Sequence, residues 1–547
     1  MTRLLLTLCL LLSVPGWAWA ADAGTETLYA KVCANNGDGS AQTCAGSPGG
    51  VGAFSSLANV LFDNAANTAG KVDRGDTLYI CGAHPNSQLD ITAEGTSSTT
   101  MITIDGNCPG DAGSIDAGAN GYGLRQFNSI TRYVKITNLT IVGGSVAGIH
   151  CNGANGECRG NVYSNNTITA GTACGGCSVI AVRGPRETTV SGNTIDAALL
   201  FPVGIKLDAN TAACAYPTCG DNLITGNTVT RAITGAIRFN GVSAAAVIEK
   251  PGIISNNTVY GNGDGIYPVW ASGVIVTGNT SYGNNVTSGS GEGNGFACQE
   301  CPDPTFTSNT SYNNRLEGIH IYAADTQSPY NFVVIKNNLV YDNNTGATGA
   351  FMPAIFLNQV GASVNMPNTV VTGNVVRGST IGIESLKGVT GVIANNTVSG
   401  ATVEGCIYIS TNAANLTIQN NLLSCGTIKA INTSDSGLGA NVAFKNNYID
   451  TTGTVAGSTV LARLASTNYT SSNISSFDST TLTGAASFIN STGLDYRIPA
   501  SITNIRRAGR DGYLCSDKRG RPCYHPPDIG AYQATSRDQA ATRAPRQ

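Results

Sequence analysis

Residues 164–168 read SNNTI, and ten variants of this stretch follow: SGNTI, TGNTV, SNNTV, TGNTS, TSNTS, KNNLV, TGNVV, ANNTV, QNNLL and, at 445–449, KNNYI. Their second asparagines are Asn166, Asn193, Asn227, Asn257, Asn279, Asn309, Asn338, Asn374, Asn396, Asn421 and Asn447, spaced by 22 to 36 residues. A period of that size with variable insertions is one coil of a solenoid. The asparagines are expected to stack at one corner, because Asn tolerates the left-handed backbone a corner requires. Several stretches also match the N-glycosylation sequon, but the regular period favours the stack.

A second strand repeats with the same period. Ile149, Ile180, Ile205, Ile237, Ile266, Phe296, Ile319, Ile355, Ile383, Ile407 and Ile431 form a column, each usually preceded by Gly, Ala or another small residue. Two ladders advancing together predict an all-β chain, a single right-handed parallel β-helix of about a dozen or more coils over residues 21–533. Few charged residues (12%), 67 glycines and no long amphipathic helix agree with short strands and tight turns.

The opening GDTLYICGAHPNSQLDI (75–91) with TMITIDGN (100–107), and the closing SDKRGRPCYHPPDIGAYQ (516–533), resemble segments of the secreted right-handed β-helix proteins of the pectate-lyase-like group. The resemblance covers the mature chain and implies the fold. It does not select an activity, because the group includes polysaccharide lyases, uronan epimerases, glycoside hydrolases, adhesins and tailspikes.

Strict alternation sends the residue after each buried Ile outward. That column reads His150, Ala181, Lys206, Arg238, Tyr267, Ala297, His320, Phe356, Glu384 and Tyr408. Two residues further on stand Asn152, Arg183, Asp208, Asn240, Val269, Gln299, Tyr322 and Asn358. Two patches emerge: Arg183, Lys206, Asp208, Arg238, Asn240 and Tyr267 above, and Gln299, Glu300, His320, Tyr322, Asn358 and Glu384 below. With strands about 4.8 Å apart, Lys206 and His320 are four coils or ~19 Å apart. A groove of that length holds several sugar units.

The upper patch suits β-elimination on a uronic acid, which needs a cation on the carboxylate and a base near C5. Arg238 is the candidate cation and Lys206 the candidate base; the resemblance implies the same residue types. The lower patch offers His320 or Tyr322 as base with Glu384 or Glu300 as partner, the pattern of epimerases and some lyases. Hydrolysis ranks lower, because Glu300 and Glu384 are about three coils or ~14 Å apart. The plain readings are an exposed ion-pair ladder for Arg183, Lys206 and Asp208, a satisfied surface histidine for His320, and aromatic caps for Tyr267 and Tyr322. A recognition protein or adhesin without turnover is the competing class, and the concentration of unusual residues on one face favours an enzyme acting on an anionic polysaccharide. No cofactor is required; for calcium the face offers only Asp208 and Asp264, too few for a site.

Residues 1–20, MTRLLLTLCLLLSVPGWAWA, read as a secretory signal peptide, so a secreted or periplasmic protein is expected, with no membrane span and a monomeric state. The formal charge of −3 gives no field for nucleic acid. Beyond Cys9, the cysteines fall as neighbours: Cys33 with Cys44, Cys81 with Cys108, Cys151 with Cys158, Cys174 with Cys177, Cys214 with Cys219, Cys298 with Cys301, Cys406 with Cys425 and Cys515 with Cys523. Export makes eight local disulfides their expected fate, ahead of a zinc site built from CGGC and CQEC. The tail 534–547 has little to bury and is expected to be disordered.

Overall fold

The computed structural model describes residues 25–486, apart from short internal stretches, together with Gly530 and Ala531. Three sheets of 15 strands each run the length of the molecule, parallel except for the last pair of one of them, and each coil from Thr77 to Leu464 contributes one strand to each. The chain folds as a right-handed parallel β-helix. The predicted column is in register throughout: Ile149 pairs with Ile180, Ile205 with Ile237, Ile266 with Phe296, Phe296 with Ile319, and so on to Ile431. We call the sheet that carries it the groove sheet.

The asparagine column is a continuous hydrogen-bonded ladder. From Asn166 to Asn421 each backbone N–H and, with it, each side-chain Nδ2 donates to Oδ1 of the asparagine one coil on, as Asn279 does to Asn309 at 3.0 and 3.1 Å. Every member is buried. The left-handed residue, however, is the one before: Asn165, Gly192, Gly226, Asn256, Gly278, Ser308, Asn337 and Gly373 have φ between 53° and 68°. The corner thus divides its two demands, backbone twist on an outer residue and hydrogen bonding on its buried neighbour.

A second, shorter ladder was not anticipated. Ala232 N–H donates to Asn262, Asn262 to Asn284, Asn284 to Asn314 and Asn314 to Asn343. It fixes the corner from which the central groove strands emerge. The core between the sheets is stacked aliphatic and aromatic side chains, with Ile205, Phe239, Phe296 and Ile319 fully buried. Small residues before the column are required by close approach: a Cβ on Gly204 would stand 2.3 Å from a Val229 methyl. The parallel stack of the groove sheet ends on an antiparallel pair, Ala462–Leu464 with Thr467–Tyr469, which covers the last edge.

Five of the expected bridges are closed: Cys33 to Cys44, Cys81 to Cys108, Cys151 to Cys158, Cys174 to Cys177 and Cys406 to Cys425. The sixth is a correction. Cys298 and Cys301 are buried thiols, and Cys301 Sγ turns to the carbonyls of Pro268 and Gln299. Cys214 with Cys219, Cys515 with Cys523, the signal peptide and the tail lie outside the described residues. Of the closing segment, Gly530 N–H donates to the Asn420 carbonyl and Ala531 N–H to Thr397 Oγ1, so this part packs back onto the stack. Among the described residues no helix is long and apolar enough to cross a membrane.

Candidate functional site

The outward side chains of the groove sheet form one hydrogen-bonded strip. Lys206 Nζ donates to Asp208 Oδ2 at 2.9 Å, and Asn240 Nδ2 donates to Asp208 Oδ1 at 2.7 Å. Arg238 Nη2 donates to Asn240 Oδ1 at 3.1 Å, and the guanidinium lies 4.9 Å from the centre of the Tyr267 ring. Tyr267 in turn donates its hydroxyl proton to Gln299 Oε1. The two predicted patches therefore join, with Tyr267 and Gln299 as the link. Arg183, in register with Asp208, stands exposed at the strip's margin.

Where the strip meets the lower residues there is a cavity of about 280 Å³, lined by Tyr267, Glu292, Asn294, Ala297, Cys298, Gln299, His320, Tyr322 and Asn358. Its origin is visible in the outward column. Ala297 is a single methyl between Tyr267 and His320, so these two side chains stand two strand spacings, ~9.6 Å, apart with an open slot between. The strand Phe296–Gln299 that carries Ala297 pairs in register with Ile319–Ala323, which carries His320 and Tyr322.

His320 is 8% exposed, stacked on Phe356 at 5.0 Å and edge-on to Tyr322 at 6.0 Å. Burial lowers its pKa to about 4, so the ring is neutral at pH 7. Asn358 Nδ2 stands 3.1 Å from His320 Nε2 and donates to it, which leaves the ring proton on Nδ1. Glu384 lies two coils beyond, in register with Phe356 and Tyr408, and does not line the slot. Burial first, then Glu317 and Glu404, raise its pKa to about 7.

Glu300 requires correction. It was expected on the open face, but it is 3% exposed and accepts the Ala324 N–H at 2.6 Å through Oε1. The strand ends at Gln299, and Glu300 takes the left-handed conformation (φ 53°), which turns its side chain out of the alternation.

Two polar residues escaped the sequence reading, Asn294 and Glu317, and a third, Asp264, was weighed only as a calcium ligand; each stands two positions before a column residue (Phe296, Ile319 and Ile266). The shared motif, polar-Gly-Ile or polar-Gly-Phe, is the signal that would have located them. Asp264 accepts N–H bonds from Glu292, Gly293 and Asn294 at 3.3, 3.1 and 2.8 Å and so shapes the slot wall. Glu317 N–H donates to Asn294 Oδ1 at 3.3 Å, and its own Oε2 is buried without a partner. Burial above all raises Asp264 to about 6 and Glu317 to about 7. Among the described residues no group of three or more His, Cys, Asp or Glu is placed to hold a metal ion.

Glu317 makes a stability prediction. Its folded pKa lies above the ordinary 4.5, so the folded state holds the proton more tightly, and wild-type stability falls as pH rises from about 4.5 to about 7. The uncharged Glu317→Gln variant is expected to match wild type at about pH 4 and to exceed it by about 3 kcal/mol at about pH 8. Denaturant unfolding at the two pH values measures it. An equal effect at both would mean that Glu317 ionises normally.

Residues 178–352 match the family model described as "right handed beta helix region". The likeness is one of fold. No curated protein matches the sequence. Similar solved structures include pectate lyase Pel9A, at 13% identity and TM-score 0.36, covering 94% of this chain and 98% of that one. A lacto-N-biosidase from Eubacterium ramulus is 11% identical with TM-score 0.33, covering 77% and 67%. The A-module of the mannuronan C-5 epimerase AlgE6 from Azotobacter vinelandii is 12% identical with TM-score 0.27, covering 75% and 91%.

Proposed function

We propose that the protein is an exported enzyme that cleaves a uronate-containing polysaccharide by β-elimination, with its reacting centre in the slot over Ala297. The slot itself carries this reading, because it is where a neutral imidazole, two phenols and three amides converge on the groove face. His320 is neutral, the form a base needs, and takes the C5 proton on Nε2 as the substrate displaces the Asn358 amide from that nitrogen. The C4–O4 bond then breaks, and O4 receives a proton from Tyr322. The cations Arg238, Lys206 and Arg183 line the approach and offset the charge of the polymer's carboxylates.

This revises the roles of the upper patch. Lys206 is engaged by Asp208 and lies three coils or ~14 Å from Ala297, so it serves recognition. A second reading, hydrolysis, has its own support: Glu292 lines the slot, and Glu317 behind Asn294 retains a proton near neutrality. The products separate the two. Incubation with alginate, pectate and glycosaminoglycan polymers is expected to give new ultraviolet absorbance from the C4–C5 double bond. New reducing ends without absorbance would establish hydrolysis and sink elimination, and binding without either product would leave a recognition protein.

A further inference from the structure

The outward column contains a second methyl between long side chains. Ala181 pairs with His150 on one side and Lys206 on the other, as Ala297 does with Tyr267 and His320, and lies four coils or ~19 Å from the slot. In the flanking column Asn152, Arg183 and Asp208 are in register.

The charges around this gap are unevenly satisfied. Arg125 donates to both carboxylate oxygens of Asp90, at 3.0 and 2.8 Å, and Lys206 is held by Asp208. Arg183 is exposed and, among the described residues, has no ion-pair partner. His150 is only 7% exposed, its ring stacked at 4.9 Å on Tyr122, and its Nδ1 is buried with no hydrogen-bond partner. A buried nitrogen without a partner at an outward strand position, beside an uncommitted guanidinium, is costly in the empty protein. A ligand that accepts hydrogen bonds and carries negative charge satisfies the guanidinium directly, and the imidazole once its ring turns that nitrogen outward.

We propose that the gap over Ala181 is a second carbohydrate subsite that takes one anionic sugar unit, its carboxylate or sulfate set against Arg183 and its ring beside His150. The proposal deepens the reading of the groove as a uronate-polymer site and rests on it. Burial first, then Arg183 and Arg125, hold His150 at a pKa of about 4. A chain bridging the gap and the slot would gain affinity from both ends.

Each gap has its own histidine, and the chain has only four. Imidazole resonances of the full mature chain, assigned with His150→Gln and His320→Gln, report the two sites separately. Hexameric oligogalacturonate and oligomannuronate are the probes, with cellohexaose as the neutral control. At least one uronate is expected to shift both His150 and His320, and Arg183→Ala is expected to weaken its binding about tenfold while the His320 shift persists at saturation. Movement of His320 alone overturns the second subsite and leaves the slot standing. Movement of His150 alone keeps the subsite and overturns the slot. An equal His150 shift with cellohexaose overturns the requirement for charge, and silence of both histidines overturns both sites.

Discussion

Replacing His320 by Ala is expected to reduce turnover on a uronate polymer by about 10²- to 10⁴-fold, the usual contribution of a positioned proton-transfer group. The ring is stacked on Phe356 and bonded to Asn358, so the melting temperature must be measured alongside, and His320→Gln retains more of the packing. Lys206→Ala is the informative companion. Its ammonium is paired with Asp208 away from the slot, and its loss is expected to raise KM about tenfold with kcat kept. The opposite result, turnover lost with Lys206 and retained without His320, would move the chemistry to the upper strip. Because His320 has a pKa of about 4 and acts unprotonated, the acid limb of kcat/KM should fall near pH 4, with full base function above it.

Asn309→Ala is expected to cost about 4 kcal/mol. The side chain is fully buried and gives Nδ2 to the Val276 carbonyl at 2.9 Å and to Asn338 Oδ1 at 3.1 Å. Its Oδ1 accepts two bonds from Asn279, so the substitution orphans donors on the preceding coil and takes a donor from one acceptor on that coil and one on the next. The residue before it has the opposite sign. Ser308 is an exposed non-glycine at φ 56°, and Ser308→Gly is expected to raise stability by about 1 kcal/mol. Equilibrium unfolding of the two variants tests the division of labour at this corner; a stable Asn309→Ala protein would show that the ladder is dispensable.

The ladder and the column were legible because each residue faces the same surroundings in every coil. Asn309 and Ile319 repeat their partners, so period alone reveals them. Assigning the left-handed conformation to the buried Asn failed because the stretch offers two candidates, and only the hydrogen-bond accounting distinguishes them. The groove face was legible as far as alternation held. It failed at Glu300, where one left-handed residue ended the strand. Glu292 was invisible for another reason: it enters from a corner whose length varies between coils, so no period places it. Ala297 stands in the outward column as a single methyl, with no role legible from the sequence. Its emptiness is what makes the slot.

The strand Phe296–Gln299 is the eighth of the 15 in its sheet. A stack in which each layer rests only on its neighbours loosens from its two ends, and opening a middle layer requires the outer ones to separate first or a costly break within. The reacting centre therefore occupies the layer best insulated from fraying. Amide hydrogens around Ala297 and His320 should be the slowest in the groove sheet to exchange with solvent, and trimming an outer layer should shorten the lifetime of the molecule before it disturbs the geometry at its centre.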